Sequence, residues 1–168
     1  MEVVAVERET DDAVSVTLAP RDGRPVAFDA GQFLTLEVTV EGSVQRRAYS
    51  LSSSAADGSR LSVTVKRVAG GLVSNYVHNQ LKVGDRIAVL GPSGAFTVGE
   101  VSAPRHVVLV AGGSGITPMM SILRTHLVSS SALSFTLVYG SRDRQSVIFR
   151  GALDALASEH PERLTVIY

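Results

Sequence analysis

The chain has 168 residues, of which 45% are apolar and 19% are charged, as is typical of a globular protein with a hydrophobic core. Its 16 basic and 16 acidic residues balance, which argues against nucleic acid as a partner. It contains no cysteine, which excludes disulfides, a thiolate-bound iron–sulfur cluster and a cysteine nucleophile within the chain. No apolar run has the length of a membrane span and residues 1–12 do not form a signal peptide, so we expect a cytoplasmic protein without a membrane partner.

Short segments of alternating polarity predict β-strands in the first part of the chain. In residues 33–40 (FLTLEVTV), for example, Leu34, Leu36 and Val38 fall on one face. A single helix is predicted at residues 72–81, from apolar residues at helical spacing. Period-two strands at this spacing indicate an antiparallel barrel or sandwich. The predicted strands are residues 3–9, 13–18, 33–40, 45–50, 61–67 and 86–90.

The pattern changes near residue 104, so we predict two domains, residues 1–103 and residues 104–168. The apolar run HVVLVA at residues 106–111 predicts a strand that is buried on both faces, as in a parallel sheet. The order that follows is helix, strand, helix and strand, which makes one β-α-β-α-β half of a doubly wound fold. The elements are residues 118–128, residues 135–139, a helix carrying Phe149, Leu153 and Leu156, and residues 164–168. Because such a sheet normally continues, we expect a truncated chain.

Residues 47–51 (RAYSL) lie at the end of a predicted barrel strand and combine groups that a flavin needs. Tyr49 offers a flat face for stacking on the isoalloxazine ring, and Ser50 offers a hydrogen bond to its polar edge. Arg47 carries a planar cation that matches pyrophosphate oxygens. The same stretch is also compatible with an ordinary half-buried strand that carries a surface arginine.

Residues 70–74 (GGLVS) open the predicted helix of the barrel part. Helix N-termini present unpaired N–H groups and a positive partial charge, and glycine allows the backbone to approach a phosphate closely. Ser74 adds a hydroxyl, and Lys66 and Arg67 add positive charge nearby. A simple turn at the start of a helix is the alternative interpretation.

Residues 112–118 (GGSGITP) follow the buried strand and precede a helix, which is where α/β folds bind nucleotides. Gly113 and Gly115 match the start of a dinucleotide-binding loop, but Pro118 replaces the third glycine. Proline is well suited to the first turn of a helix. The loop lacks the lysine of a phosphate-binding Walker motif, and it does not match the GxSxG pattern of serine hydrolases.

Residues 139–142 (YGSR) end the second parallel strand, where dinucleotide folds distinguish NAD from NADP. Ser141 and Arg142 suit a 2′-phosphate, whereas Asp143 follows at once and suits a free ribose hydroxyl. A solvent-exposed loop arginine is equally compatible with the sequence. The four histidines show no spacing typical of metal ligands, so no metal site is predicted.

Taken in order, these motifs resemble the ferredoxin–NADP reductase superfamily, and in particular its oxygenase-associated reductases. The resemblance also covers residues 91–96 (GPSGAF) and residues 146–150 (SVIFR). It implies a six-stranded antiparallel Greek-key barrel that binds FAD, followed by a partial, parallel, Rossmann-like α/β sheet that binds NAD(P)H. It further implies an electron-acceptor protein or oxygenase as partner, with any [2Fe–2S] domain lying beyond this chain. The family's later Cys-Gly-Pro segment, with its cysteine beside the nicotinamide, is not found in this sequence.

The resemblance implies roles for individual residues, with Ser50 and Thr117 closest to the chemistry. Thr117 would touch both the flavin and the nicotinamide. The residues implied to bind FAD are Arg47, Tyr49, Ser50, Leu51, Val65, Lys66, Gly71, Leu72, Val73 and Ser74. The residues implied to contact NAD(P)H are Gly113, Ser114, Thr117, Ser141 and Arg142.

The sequence therefore predicts a flavoprotein that transfers a hydride from NAD(P)H to FAD and then passes electrons to an iron–sulfur or oxygenase partner. A FAD-binding module with little NAD(P)H turnover of its own is a second interpretation. A third, an interaction barrel without flavin, requires the phosphate-shaped loops to be coincidental.

Overall fold

The alternating segments of the first 93 residues form six strands in the computed structural model, which describes residues 1–99, 102–129 and 132–168. These strands form two three-stranded antiparallel sheets, in the orders β1-β2-β5 and β4-β3-β6. Bridges between Glu2 and Arg86 and between Leu51 and Val63 join the two sheets into a closed six-stranded Greek-key barrel. The strands are β1 (Glu2–Thr10), β2 (Ala13–Ala19), β3 (Phe33–Val40), β4 (Ser43–Ser50), β5 (Leu61–Lys66) and β6 (Ala88–Ser93).

The barrel core follows directly from the period-two pattern. Leu34, Leu36 and Val38 are 1%, 0% and 5% exposed, because alternate residues of β3 all face the interior. Helix α1 (Leu72–Asn79), which the sequence places at residues 72–81, packs Val73 and Val77 onto the same core. The carbonyl of Val65 on β5 also lies 2.9 Å from Nε2 of His78, so the helix is fixed to the strand that precedes it.

The second part of the chain forms a parallel sheet in the order β7-β8-β9, with both connections helical. Helix α2 begins two residues before the predicted start, so Pro118 is its third residue and lies in the first turn. The elements are β7 (Arg105–Gly112), α2 (Ile116–Ser129), β8 (Leu133–Gly140), α3 (Arg150–Glu159) and β9 (Leu164–Ile167). The expected β-α-β-α-β order is confirmed.

The prediction that the β7 strand is buried on both faces is wrong. Leu109 and Ala111 are buried, but Val108 and Val110 are 61% and 67% exposed. Parallel strands are joined by right-handed crossovers, and both crossovers here step in the same direction along the sheet. Helices α2 and α3 therefore cover the same face, and the valines lie on the opposite one. A second correction is that Phe149 precedes α3, in a left-handed conformation at φ 63°, and does not lie within the helix.

The two parts of the chain pack against each other. The core beneath the parallel sheet includes Ala13 and Ala30, which belong to the barrel part. The boundary predicted between residues 103 and 104 falls in the connection from β6 to β7, of which Glu100 and Val101 lie outside the described residues. Within the described ranges no helix combines the length and the apolar character needed to cross a bilayer.

We expect Leu36→Ala to lower the free energy of unfolding by about 2–5 kcal/mol, because it removes a fully buried side chain and leaves a cavity in the barrel core. Urea unfolding followed by circular dichroism measures the change. Leu90→Ala on the neighbouring strand β6 is the matched control, because Leu90 is 53% exposed. Equal losses in the two variants would contradict the assignment of the barrel interior.

Candidate functional site

Strand β4 places an aromatic ring and a cation next to each other at the edge of the barrel core. Tyr49 and Arg47 pair with Leu34 and Leu36 across β3, so both project from the face that the core occupies. Tyr49 is half-buried, and this burial raises the pKa of its hydroxyl, an effect that the charge of Arg47 partly offsets. The Arg47 guanidinium is exposed and donates to the carbonyl of Arg46 at 2.7 Å. It makes no ion pair with a described residue, which leaves its charge available to an anionic ligand.

Three of the predicted flavin-binding residues have side chains that belong to the barrel core. Leu51, Val65 and Val73 are at most 2% exposed, so we expect only their backbone atoms to reach a ligand. By contrast, Leu72 is 40% exposed and Ser50 is half-buried at the end of β4. The predicted flavin-binding residues therefore lie around the junction of β4, β5 and α1. Some are buried in the barrel core, and others are accessible to a ligand.

The loop that opens α1 leaves backbone N–H groups without side-chain caps. Gly71 is the N-cap residue, and no side chain of a described residue caps the N–H groups of the first turn. The Ser74 hydroxyl turns inward, where it accepts from the Val68 N–H at 3.1 Å and donates to the Gly71 carbonyl at 3.4 Å. A Cβ on Gly71 would lie 2.7 Å from that hydroxyl, so a side chain at this position would displace Ser74 from its bonds. Ser74 thus shapes the loop, and the N–H groups of Leu72 and Val73 are the ones that suit a pyrophosphate.

The glycine loop and the YGSR segment meet at the carboxyl ends of two adjacent parallel strands. Gly112 and Gly140 are in register across β7 and β8. A Cβ on Gly112 or Gly115 would meet no atom within 4 Å, so the space above this loop is open to a ligand. A cavity of about 390 Å³ lies there, lined by Lys66, Gly113, Gly140, Ser141, Arg142 and Ser146.

One buried polar atom beside this cavity has no hydrogen-bond partner among the described residues. It is the Ser141 Oγ, which lies near the Tyr139 hydroxyl, whose own proton is donated to the Gly113 carbonyl. Unpaired buried hydroxyls are costly, so this atom fits a site whose ligand supplies the missing bond. The open glycine loop, the unpaired Ser141 hydroxyl and the nearby guanidinium of Arg142 together fit a nicotinamide nucleotide.

Thr117 stabilises the start of α2. Its hydroxyl donates to the carbonyl of Ser114 at 3.0 Å, and the residue is 5% exposed. Ser114 itself is exposed above the glycine loop. The predicted contact of Thr117 with the flavin and the nicotinamide stays a prediction.

Tyr139 begins the YGSR segment, but its structural role in the site is seen only in the fold. Its hydroxyl donates to the Gly113 carbonyl at 2.9 Å and accepts from the Ile148 N–H at 3.2 Å. Burial raises the pKa of this hydroxyl, so it remains a hydrogen-bond donor at neutral pH. Tyr139 therefore fixes the glycine loop to the segment that precedes α3.

Helix α2 is hydrogen-bonded to the segment that follows β4. Ser121 Oγ donates to the Ser53 carbonyl at 2.8 Å, and an Nη of Arg124 donates to the Ser52 carbonyl at 2.8 Å. One turn along, the Ala55 N–H donates to Thr125 Oγ1 at 2.8 Å. Hydrogen bonds thus join the candidate flavin site to the candidate nucleotide site, and none of these bonds is apparent in the sequence.

Lys66 connects the flavin-side and nucleotide-side residues. It ends strand β5 of the barrel, yet its Nζ lies only 3.9 Å from the position of a Cβ on Gly113. Its ammonium is also 3.5 Å from a carboxylate oxygen of Asp12, which in turn is 3.1 Å from an Nη of Arg142. Charged groups from both parts of the chain therefore converge where the two candidate sites meet.

A closed antiparallel barrel with an uncapped helix N-terminus, joined to a parallel sheet with an open glycine loop, defines the class of two-domain flavin and nicotinamide reductases. Family models agree with this class. Residues 2–98 match the oxidoreductase FAD-binding domain, and residues 109–168 match the oxidoreductase NAD-binding domain. The chain belongs to the oxidoreductase family that these FAD-binding and NAD-binding domain models define.

Named relatives agree with this assignment. The ferredoxin reductase component of 3-ketosteroid-9-alpha-monooxygenase from Mycolicibacterium smegmatis is 44% identical over 175 residues, covering 100% of this chain and 48% of that protein. The FAD/NAD-binding domain of nitric oxide dioxygenase from Vibrio cholerae superposes with a TM-score of 0.86 at 32% identity, covering 98% of this chain and 71% of that one. Phthalate dioxygenase reductase gives a TM-score of 0.81 at 30% identity, with 99% and 50% covered. The chain spans about half the length of the curated relatives it matches.

We expect Tyr139→Phe to weaken binding of nicotinamide nucleotides roughly tenfold, because the Gly113 carbonyl and the Ile148 N–H lose their shared partner and the loop loosens. Equilibrium dialysis with NADH measures the dissociation constant. Tyr76→Phe is the matched control, since the Tyr76 hydroxyl makes no hydrogen bond to a described residue. Unchanged NADH affinity in Tyr139→Phe would contradict the positioning role.

Proposed function

We propose that this protein transfers a hydride from NAD(P)H to FAD and passes the electrons to an iron–sulfur protein or an oxygenase. The observation that carries the proposal is the junction at Lys66, where the last residue of a barrel strand meets the glycine loop of the parallel sheet. The functions of named relatives support it. One is a ferredoxin reductase component of a monooxygenase, and another is a reductase for electron transfer from pyridine nucleotides to [2Fe–2S].

In this proposal the barrel residues bind and orient the flavin. Tyr49 covers one face of the ring, Ser50 bonds to its polar edge, and Arg47 with the N–H groups of Leu72 and Val73 holds the pyrophosphate. When bound, FAD would supply a ring that can accept a hydride and pass on electrons singly. The role of the chain is therefore to bind two rings, exclude water between them and keep them in contact distance.

On the nucleotide side, the loop from Gly113 to Thr117 receives the pyrophosphate and nicotinamide end, and Ser141 and Arg142 receive the adenosine ribose. Support for this orientation comes from the open space above the loop and from the unpaired hydroxyl of Ser141. NADPH as the donor, which Arg142 would favour through a 2′-phosphate, and a cytoplasmic location both stay predictions.

Reconstitution with FAD followed by anaerobic stopped-flow mixing with NADH or NADPH tests the proposal. We expect the purified chain to bind one FAD, to show flavin absorbance in the visible range, and to lose that absorbance on mixing. Tyr49→Ala is expected to weaken FAD binding about tenfold, because stacking on the ring is lost. Tyr76→Ala provides the control for loss of a partly buried tyrosine elsewhere in the barrel part.

The outcomes separate the competing functions. A protein that stays colourless after reconstitution overturns the proposal as a whole. A protein that binds FAD but is not reduced by either nucleotide is a flavin-binding module without turnover, which contradicts the reductase function alone. Reduction at equal rates by wild-type protein and Tyr49→Ala at saturating FAD would contradict the role given to the tyrosine in orienting the ring.

A further inference from the structure

Asp12, in the turn between β1 and β2, is a carboxylate from the barrel that reaches the nucleotide side of the site. Its Oδ2 lies 3.1 Å from an Nη of Arg142 and 3.5 Å from Nζ of Lys66. The Asp12 side chain is 29% exposed, and the residue is 130 positions from Arg142 in the sequence. A turn of the barrel thus holds one of the two residues that the sequence assigns to the adenosine ribose.

The carboxylate is held in place independently of Arg142. Thr10 Oγ1 donates to Asp12 Oδ1 at 2.9 Å, and the Arg67 N–H donates to the Asp12 carbonyl at 2.6 Å. Partial burial acts to raise the pKa of Asp12, but the hydrogen bond from Thr10 and the charges of Lys66 and Arg142 lower it below its ordinary value. Asp12 is therefore a fixed negative charge at neutral pH.

Arg142 lies between two cavities. On one side is the cavity of about 390 Å³ that Ser141 and Gly113 also line. On the other is a cavity of about 270 Å³ that Asp12 and Thr10 line. Asp12 is the carboxylate that pairs with Arg142 within the described residues. Asp143, the acidic neighbour in sequence, accepts from the Ser146 N–H at 2.8 Å and interacts with Arg142 through charge, without an ion pair.

We propose that Asp12 is a specificity-determining residue, which engages Arg142 and thereby favours a nucleotide with a free 2′-hydroxyl over one with a 2′-phosphate. The inference rests on the proposed function, because it takes Ser141 and Arg142 as the adenosine-ribose end of the nucleotide site. A 2′-phosphate needs the guanidinium that Asp12 already engages. A 2′-hydroxyl carries no charge and does not need that guanidinium. Asp12 would thus favour NADH as the donor, against the preference for NADPH that Arg142 alone would give, and this charge lies in the barrel, outside the nucleotide-binding loops.

The test is isothermal titration calorimetry on the FAD-loaded chain, with adenosine 2′,5′-bisphosphate and adenosine 5′-monophosphate as probes. The two probes differ only in the 2′-phosphate. Asp12→Asn removes the charge of the side chain but keeps an oxygen that can accept from Thr10. Asp12→Ala is the second variant. Thermal melting of both variants verifies that they fold. Asp11→Asn is the matched control, because Asp11 is fully exposed and pairs only with Arg8, at 3.8 Å, among the described residues.

We expect both Asp12 variants to bind the bisphosphate about tenfold more tightly relative to the monophosphate than the wild-type chain does. Asp11→Asn should change this ratio by less than about twofold, because exposed charges are well screened. In an Arg142→Ala background the gain from Asp12→Asn should disappear, since the two residues then have no interaction to lose.

Two results overturn the inference in different ways. If both probes bind but their affinity ratio is the same in the wild-type chain and the Asp12 variants, Asp12 does not set selectivity and the proposed function is unaffected. Selectivity by Asp12 is also contradicted if Asp11→Asn gives as large a gain as Asp12→Asn, or if the gain persists without Arg142. If neither probe binds to any variant and NADH fails to reduce the flavin, the nucleotide site and this inference both fail.

Discussion

The structure depends on the bonds between helix α2 and the segment that follows β4. Ser121 and Arg124 donate to the carbonyls of Ser53 and Ser52, and the Ala55 N–H donates to Thr125. The segment 52–55 continues the strand that carries the candidate flavin residues, and α2 continues the glycine loop that is the candidate nucleotide site. One set of bonds therefore fixes both sites relative to each other, and hydride transfer requires such a fixed distance between two rings.

The same contact contains a half-buried charge, the guanidinium of Arg124. Burial lowers the pKa of Arg124, while Glu9 and Glu7 partly offset this effect through their charges. The Arg124 guanidinium also lies 5.5 Å from the centre of the Phe149 ring, a distance at which a cation is attracted to the face of an aromatic ring. A buried cation is tolerated when hydrogen bonds and nearby charges compensate for lost hydration, and here the compensating groups come from both parts of the chain. Movement of the two parts away from each other would leave Arg124 and several backbone groups unpaired, which favours a rigid arrangement.

Local sequence patterns predict much of this architecture. Alternation in residues 33–40 correctly predicts a barrel strand, and Pro118 correctly marks the first turn of α2. The apolar run of β7 misleads, because one-sided and two-sided burial of a short valine-rich strand give similar sequences, and only the positions of the two helices distinguish them. The loops before α1 and α2 can also be recognised from the sequence, because each is a motif of adjacent residues.

The contacts that assemble the site are not visible in this way. Asp12 and Arg142, or Arg124 and Ser52, are far apart in the chain, and their pairing follows from the packing of the barrel on the sheet. The sequence around Asp12 is an ordinary acidic turn, with nothing to indicate which carboxylate faces the site. Tyr139 has a weak signal, since it is a polar aromatic residue at the end of an otherwise apolar strand, beside a glycine. Its hydrogen bond to the glycine loop depends on the parallel register of β7 and β8.

A crystal structure of the chain with FAD and a nicotinamide nucleotide tests the central claim most directly. We predict that the flavin pyrophosphate lies within hydrogen-bond distance of the Leu72 and Val73 N–H groups, and that the nucleotide lies over the loop from Gly113 to Ser114. The α2 bonds to Ser52 and Ser53 are predicted to be unchanged, with Lys66 between the two ligands. A flavin bound away from the β4, β5 and α1 junction, or a nucleotide bound away from the glycine loop, would contradict the account.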